Sequence, residues 1–529
     1  MQDLKQVTLG AATSLLIAKF YLSIPDTSTI LILALLLSLV LCATFVKSLK
    51  QTGPYFDTLR KIPGPRSIYY FGNRWMYYSW FGPYKLNKLH ESYQDLFKMF
   101  GKIFREEYLF NFPVINILDR DDLFLVLGAS ARSKFPLRPP NEVTSYYRKS
   151  RPDRYTNLGL VNEQGEIWHL LRTRLTPELT SGRIMNRFLP ELNRVAEDFN
   201  SLIRHHSCEN HSVLCFDELA NRMGLESACT LILGKRLGFL GEDIDPIMTK
   251  LAVAVREQFI ASRDTCFGLP FWKLFPTPAY LKLIKSEDAI YDIISRYVDE
   301  ALADEEDTCS LDTDVQTVFM SILNAPDVDI RDKKGAIIDF IAAGIKTFGN
   351  TLVFVLYLIA KNTTCQEKIY EEIINVAGPH QDFTTKNIQN AKYLKACIEE
   401  SFRLLPTAPQ IARITETPLE LSGYQIPAGS VLLCHTWQAC LDEANFPQAQ
   451  EFRPERWLGE ETEKNKFLVC PFGVGRRICP GKRFTELELK VCLASIVREF
   501  KVGFNGTLNL EFEFLLTPTS PTSFIFEPR

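Results

Sequence analysis

The run Pro471-Phe472-Gly473-Val474-Gly475-Arg476-Arg477-Ile478-Cys479-Pro480-Gly481 carries the strongest chemical signal in the chain. Three glycines and two prolines in 11 residues exclude a regular helix or strand and favour a turn-rich loop. A thiolate that binds a haem iron needs such a loop. Backbone amides aimed at the sulfur lower its pKa and moderate its electron donation, and an arginine beside it can meet a haem propionate. Helical periodicity from Thr485 to Arg498 sets Cys479 just ahead of a helix N-terminus, whose dipole favours an anion. The 13 cysteines include no CxxC pair, against a zinc ribbon, a thioredoxin-type motif or a disulfide scaffold. The seven histidines include no HExxH, against a zincin-type protease.

The complete pattern FxxGxRxCxG resembles the cytochrome P450 haem-thiolate monooxygenases, and the likeness runs from about Leu59 to the C-terminus. It implies that Phe472, Gly475, Arg477, Cys479 and Gly481 form the cofactor loop, with Cys479 the axial ligand of the haem iron. Glu400-Ser401-Phe402-Arg403 matches the family's ExxR motif on a helix, where residues i and i+3 share a face. With Arg456 of Phe452–Trp457, Glu400 and Arg403 are implied to make a buried charge cluster that braces the loop. Trp168-His169-Leu170-Leu171-Arg172 resembles WxxxR, implying that Trp168 and Arg172 reach haem propionates; Arg413 falls where a further propionate arginine lies. A planar guanidinium suits a carboxylate bidentately. His169 is expected to be a surface or packing residue and not an iron ligand, since Cys479 fills that role.

Ala343-Gly344-Ile345-Lys346-Thr347 resembles the oxygen-activating helix, implying that Gly344 opens the helix and Thr347 hydrogen-bonds dioxygen. Lys346 stands where the family carries an acid. A charged lysine offers donors and no acceptor, and burial beside haem disfavours its charge, so it is expected to turn away from the iron toward a carboxylate, a propionate or solvent. Asn350, one turn on, is a polar group that could replace the acid.

The elements that must position these groups are mainly α with a minor β part, the P450 fold behind an N-terminal transmembrane helix. Helical periodicity covers Phe188 to Ile203, Ile247 to Ser262, Lys334 to Lys361 and Lys386 to Leu405. Strand-like pieces follow at Pro418 to Ile426 and Ser430 to Thr436, and Asp299 to Thr313 reads as an acidic surface loop. Residues 27–46 carry no charge over 20 positions, enough to cross a bilayer core of about 30 Å. The expected organisation is an N-terminal segment 1–26, an anchor 27–46, a basic and Pro-rich connector 47–66 with the stiff Ile62-Pro63-Gly64-Pro65, and a catalytic body 67–529. Lys47, Lys50, Arg60, Lys61 and Arg66 follow the anchor, which places the body on the cytosolic side of the endoplasmic reticulum; the mitochondrial inner membrane is the alternative.

A net charge of −3 gives no sign of nucleic-acid binding. The resemblance implies haem b, O2, and electrons from NADPH through a partner, since no GxGxxG fingerprint follows a strand. Arg476, Arg477, Lys482 and Arg483, with Lys392 and Lys395, predict an acidic donor, a ferredoxin or an NADPH-cytochrome reductase. Ser150 to Ser181, Asp339 to Asn362 and Cys470 to Phe484 most resemble the arthropod ecdysone-hydroxylating branch, implying an apolar steroid substrate. Another lipid or xenobiotic, a haem-thiolate isomerase, and a non-enzymatic haem or steroid binder are the alternatives.

Overall fold

A helix of 32 residues, Ile330–Lys361, is the axis on which the rest is hung. Asp329 starts it, its carboxylate accepting the Arg331 amide at 2.9 Å, and Ile337, Ile341, Phe348, Leu352, Phe354 and Ile359 bury themselves fully along it. In the computed structural model the described residues are 53–68, 72–78, 80, 82–108, 112–207, 209–242, 246–307, 318–459 and 463–529. The expected anchor 27–46 lies outside them. Among the described residues one helix, Ile330–Lys361 itself, is long and apolar enough to cross a membrane, and it is mostly buried by the surrounding protein.

The helices that matter for the site are α1 (Glu142–Lys149), α2 (Gly165–Leu175), α3 (Gly182–His206), α4 (Phe216–Leu233), α5 (Pro246–Phe267), α6 (Pro278–Asp307), α7 (Ile330–Lys361), α8 (Thr363–Ala377), α9 (Lys392–Leu404) and α10 (Lys482–Glu499). One apolar core joins residues of α2, α3, α4, α7, α9 and α10. Small residues bring α4 against α7. A Cβ on Gly344 would meet Ala228 Cβ at 3.0 Å, and one on Gly224 would meet the Gly344 carbonyl at 2.9 Å. The stretch around Gly344 is therefore also a helix contact.

Beside the helices lies a four-stranded sheet of β1 (Ile103–Glu107), β2 (Pro113–Ile117), β3 (Ile411–Ile414) and β6 (Val431–Cys434), in the order β1-β2-β6-β3. β2 runs parallel to β6, with Val114 opposite Val431, and the other pairs are antiparallel. β4 (Leu419–Leu421) and β5 (Tyr424–Ile426) form a hairpin turned by Ser422 and Gly423 at φ 47° and 81°, the mirror-image turn that suits a twisted ribbon. A second small hairpin, β7 (Leu510–Phe512) with β8 (Leu516–Pro518), carries Glu513 beyond its first strand. The connector reaches the body early: Leu59 and Ile62 are buried, and the Pro63 carbonyl accepts the Arg105 amide of β1 at 2.7 Å.

Three expected helices fall within α3, α5 and α7. The fourth, Lys386 to Leu405, is two helices, Thr385–Asn390 and α9. The break at Ala391 (ψ 71°) has a tertiary cause. The Glu372 carboxylate of α8 accepts the amides of Tyr393 and Leu394 at 2.8 and 2.9 Å and so caps a fresh helix start. The segment Asp299 to Asp307, expected as loop, belongs to α6, whose inner face buries Ile294, Val298 and Ala301; residues 308–317 are outside those described.

Glu372→Ala should cost about 1 kcal/mol, the usual worth of a helix cap. A thermal melt of the variant checks it, and an unchanged midpoint would mean that α9 needs no cap.

Candidate active site

The loop before α10 is built as its composition requires. Gly473 and Gly475 take φ of 76° and 67°, and a Cβ on Gly475 would stand 2.4 Å from Ala131 Cα, so no other residue fits that position. The Cys479 amide donates to the Phe472 carbonyl at 2.8 Å, and the Lys482 amide to the Cys479 carbonyl at 3.3 Å. Helix α10 opens at Lys482, three residues before the expected Thr485. Phe472 packs edge-on against Phe402 of α9, ring centres 5.5 Å apart, which ties the loop to the ExxR helix.

Below that contact the ExxR carboxylate is fully enclosed. Arg403 reaches Glu400 with Nε at 3.0 Å and Nη2 at 2.8 Å. Arg456 Nε adds 3.2 Å, Trp457 Nε1 2.9 Å and the Arg453 amide 3.0 Å. The remaining Arg403 donors go to the carbonyls of Cys440, Ala449 and Glu451. A buried ion pair satisfied on every side holds one geometry, whereas losing one partner would leave a charge stranded. Glu400, Arg403 and Arg456 thus meet as expected.

Cys479 is exposed not to the outer surface but to a cavity of about 340 Å³. The walls are Leu171, Leu175 and Leu179, Ala228, Leu231 and Ile232 of α4, and Ala336, Phe340, Ala343, Gly344 and Thr347 of α7. Burial pushes the Cys479 thiol pKa up, while the Gly481 amide, the Arg172 charge and the Lys482 amide act toward the thiolate. Thr347 and Cys479 therefore border one space, with Trp168 and Phe472 beside them.

One side of that space is crowded with cations. Burial, then the neighbouring charges of Arg138, Arg413 and Arg172, push the Arg477 pKa down to about 9, opposed by Glu163. Burial and Arg413 push Arg138 down to about 10. Arg172 and Arg413 are also lowered by burial. Arg477 stacks 4.0 Å over the buried Trp168 ring and donates to the carbonyls of Pro136 and Glu163 at 3.0 and 2.7 Å. Arg413 Nε donates to Ser130 at 2.8 Å. Three guanidinium groups gathered around that of Arg477, a thiol, and apolar walls fit a planar group that carries two carboxylates and an iron seeking a soft ligand. Arg138 was not anticipated; it sits in a Pro-flanked stretch, Pro136 to Pro140, with no motif around it.

The structure corrects three expectations. Arg477 faces the cavity and does not join the outer basic face, where Arg476, Arg483, Lys392 and Lys395 are exposed and Lys482 is half-buried. Helix α7 runs unbroken through Gly344, and the Thr347 hydroxyl donates to the Ala343 carbonyl one turn back. Asn350 does not face the cavity: it donates to the Leu516 carbonyl and the Thr517 hydroxyl, each at 3.1 Å, and fastens β8. Lys346 turns away, buried and paired with Glu513, which also takes Arg256 Nη2 at 3.0 Å. Burial lowers the Lys346 pKa and Glu513 opposes that shift. His169 packs edge-on against Phe135, ring centres 5.5 Å apart.

Comparison with known proteins agrees with this layout. The family described as Cytochrome P450 matches residues 62–526. Ecdysone 20-monooxygenase of Drosophila melanogaster is 45% identical over 483 residues, 88% of this chain and 88% of the relative. Cytochrome P450 302a1, mitochondrial, of the same fly is 29% identical over 84% of this chain and 90% of its own. Probable cytochrome P450 12b2, mitochondrial, also from that fly, is 31% identical over 74% and 76%. A match across this much of the chain, together with the thiol loop and the arginine cluster, makes the protein an enzyme of the cytochrome P450 family.

Proposed function

We propose that the protein inserts one oxygen atom from O2 into ecdysone, giving 20-hydroxyecdysone, with haem held by Cys479. The carrying observation is the 45% identity to an ecdysone 20-monooxygenase over 88% of both chains. The shared cavity of Cys479 and Thr347 supports it. The reaction consumes the substrate C–H, O2, two electrons and two protons, and yields the alcohol and water. Bound haem supplies the oxygen chemistry, to which a thiolate ligand lends electron density.

Each residue then has a task. Cys479 binds the iron, and its loop amides and Arg172 stabilise the thiolate. Arg138, Arg172, Arg413 and Arg477 hold the propionates, with Arg477 seated on Trp168 and anchored by backbone carbonyls. Phe472, Gly475 and Gly481 shape the loop, and Glu400, Arg403 and Arg456 brace it from below. Gly344 gives the cavity wall its close contact with α4. Thr347 presents a hydroxyl to the oxygen side and organises proton-bearing water, while Lys346 stays out of the proton path, neutralised by Glu513.

Electrons come from an acidic protein docking on Arg476, Arg483, Lys392, Lys395 and Lys482. The mitochondrial names of two relatives support a mitochondrial membrane as the alternative to the endoplasmic reticulum, and a ferredoxin would be the donor there as a reductase would be in the endoplasmic reticulum. The anchor at 27–46 remains part of this reading.

Carbon monoxide added to reduced wild-type protein should give the thiolate-type Soret shift, and Cys479→Ala should give none; a shift that persists in the variant rejects the ligand assignment. Incubation with ecdysone, a redox partner, NADPH and O2 should yield a product one oxygen heavier, and unchanged ecdysone beside oxidation of another lipid would reject the substrate. In the same assay Thr347→Val should divert most NADPH into peroxide, whereas Lys346→Met should slow turnover modestly. Equal uncoupling in the two variants would place Lys346 in the proton path.

A further inference from the structure

Beyond the arginine cluster, the thiol and Thr347, the cavity wall carries a pair of opposite charges to which the proposed chemistry gives no task. Arg148 of α1 and Asp339 of α7 line the same cavity and pair with each other. Arg148 is 7% exposed, its guanidinium lies 4.5 Å over the Tyr155 ring, and its Nε is buried with no acceptor among the described residues. The Asp339 side chain keeps 30% of its surface open. Gly159 covers the pair: at φ 74° a Cβ there would lie 2.1 Å from Arg148 Nη1 and 3.2 Å from Asp339 Oδ2, so only glycine lets the backbone pass.

A structural ion pair normally satisfies its donors within the protein. Here a donor is left over, beside a partly open carboxylate, in a cavity whose wall is largely leucine, isoleucine, alanine and phenylalanine but also takes in Tyr155, Asn157, Asp332, Thr485 and Glu488. The pattern is that of a ligand pocket, in which a few placed polar groups fix the orientation of an apolar molecule. Asp339, Ala343 and Thr347 follow at i, i+4 and i+8 and share one face of α7. Eight residues of helix place Asp339 about 12 Å along the axis from Thr347. That is close to the long dimension of a fused four-ring nucleus.

We propose that Arg148 and Asp339 form a polar anchor for a hydroxyl or carbonyl on the ring of the steroid farthest from its side chain. The anchor rests on the steroid reading given above. It sets the far end of the rigid skeleton, so the carbon at the base of the side chain comes to rest beside Thr347. Asp339 accepts from the ring hydroxyl, and the Arg148 guanidinium donates to its oxygen. Both are specificity-determining residues that touch substrate at a distance from the reacting carbon.

The test titrates the full-length haem protein with ecdysone and with a counterpart lacking the hydroxyls of that far ring, reading the substrate-induced Soret shift. Wild-type protein should prefer ecdysone. Asp339→Asn should weaken ecdysone by about 10- to 100-fold, the worth of a hydrogen bond to a charged group, and leave the deoxy counterpart unchanged. Asp339→Glu keeps the carboxylate and should recover most of the preference. The carbon-monoxide band of each variant gives the correctly folded fraction to which affinities refer. Equal weakening of both steroids in Asp339→Asn would mean a purely structural tie between α1 and α7 and overturn the anchor. Wild-type protein that binds the two steroids equally would also overturn it while leaving the steroid reading intact. Wild-type protein that binds neither would remove that reading and the anchor with it.

Discussion

Positive charge confined without a matching carboxylate is the constraint on which the rest of this structure turns. Arg138, Arg172 and Arg477 line one end of a cavity with Arg413 close by, and burial, reinforced by neighbouring guanidinium charge, pushes Arg477 down to about 9 and Arg138 to about 10. Burying like charges together is costly, and an anion placed among them offsets that cost. In the proposed account that anion is the pair of haem propionates, and the thiolate of Cys479 supplies a further negative group within range of Arg172. The protein prepares a cationic rim and a thiol floor at once, and one cofactor answers both.

Keeping such a cluster in place requires a frame that does not yield. Trp168 lies beneath Arg477, whose guanidinium donates to the carbonyls of Pro136, Leu160 and Glu163 and to the Gln164 side chain. Glu400 and Arg403, both fully buried, hold the chain beneath the loop through a bidentate contact shielded from solvent. Gly475 lets the loop pass Ala131 without a side chain in the way. On the far wall, the glycines of α4 and α7 bring those helices close enough that Thr347 and Cys479 face one cavity.

Much of this was legible in the sequence because its causes are local. The loop around Cys479 is encoded in its own glycines and prolines, and the ExxR pair needs only the i, i+3 spacing of one helix. What was not legible depends on partners distant in the chain. The break between Asn390 and Lys392 is made by Glu372 of another helix, and nothing between Lys386 and Leu405 announces it. Asn350 faces β8 and not the cavity because Leu516 and Thr517, some 166 positions on, offer it acceptors. Lys346 shows a middle case. Electrostatics alone said that it must leave the iron, but only the fold could name Glu513 as its destination. Arg138 and the Arg148–Asp339 pair lie in segments without a motif, and became visible only when the cavity was assembled.

In the proposed function the two carboxylates of the cofactor neutralise an arginine cluster whose hydrogen bonds the fold meets with uncharged acceptors. Loading the protein with haem or with haem dimethyl ester tests it, since the ester keeps the ring, the iron and the bond to Cys479 but removes both charges. Thermal melts of the two forms should differ sharply, haem raising the midpoint well above that of the cofactor-free protein and the ester raising it little. Equal stabilisation by the two would contradict the account.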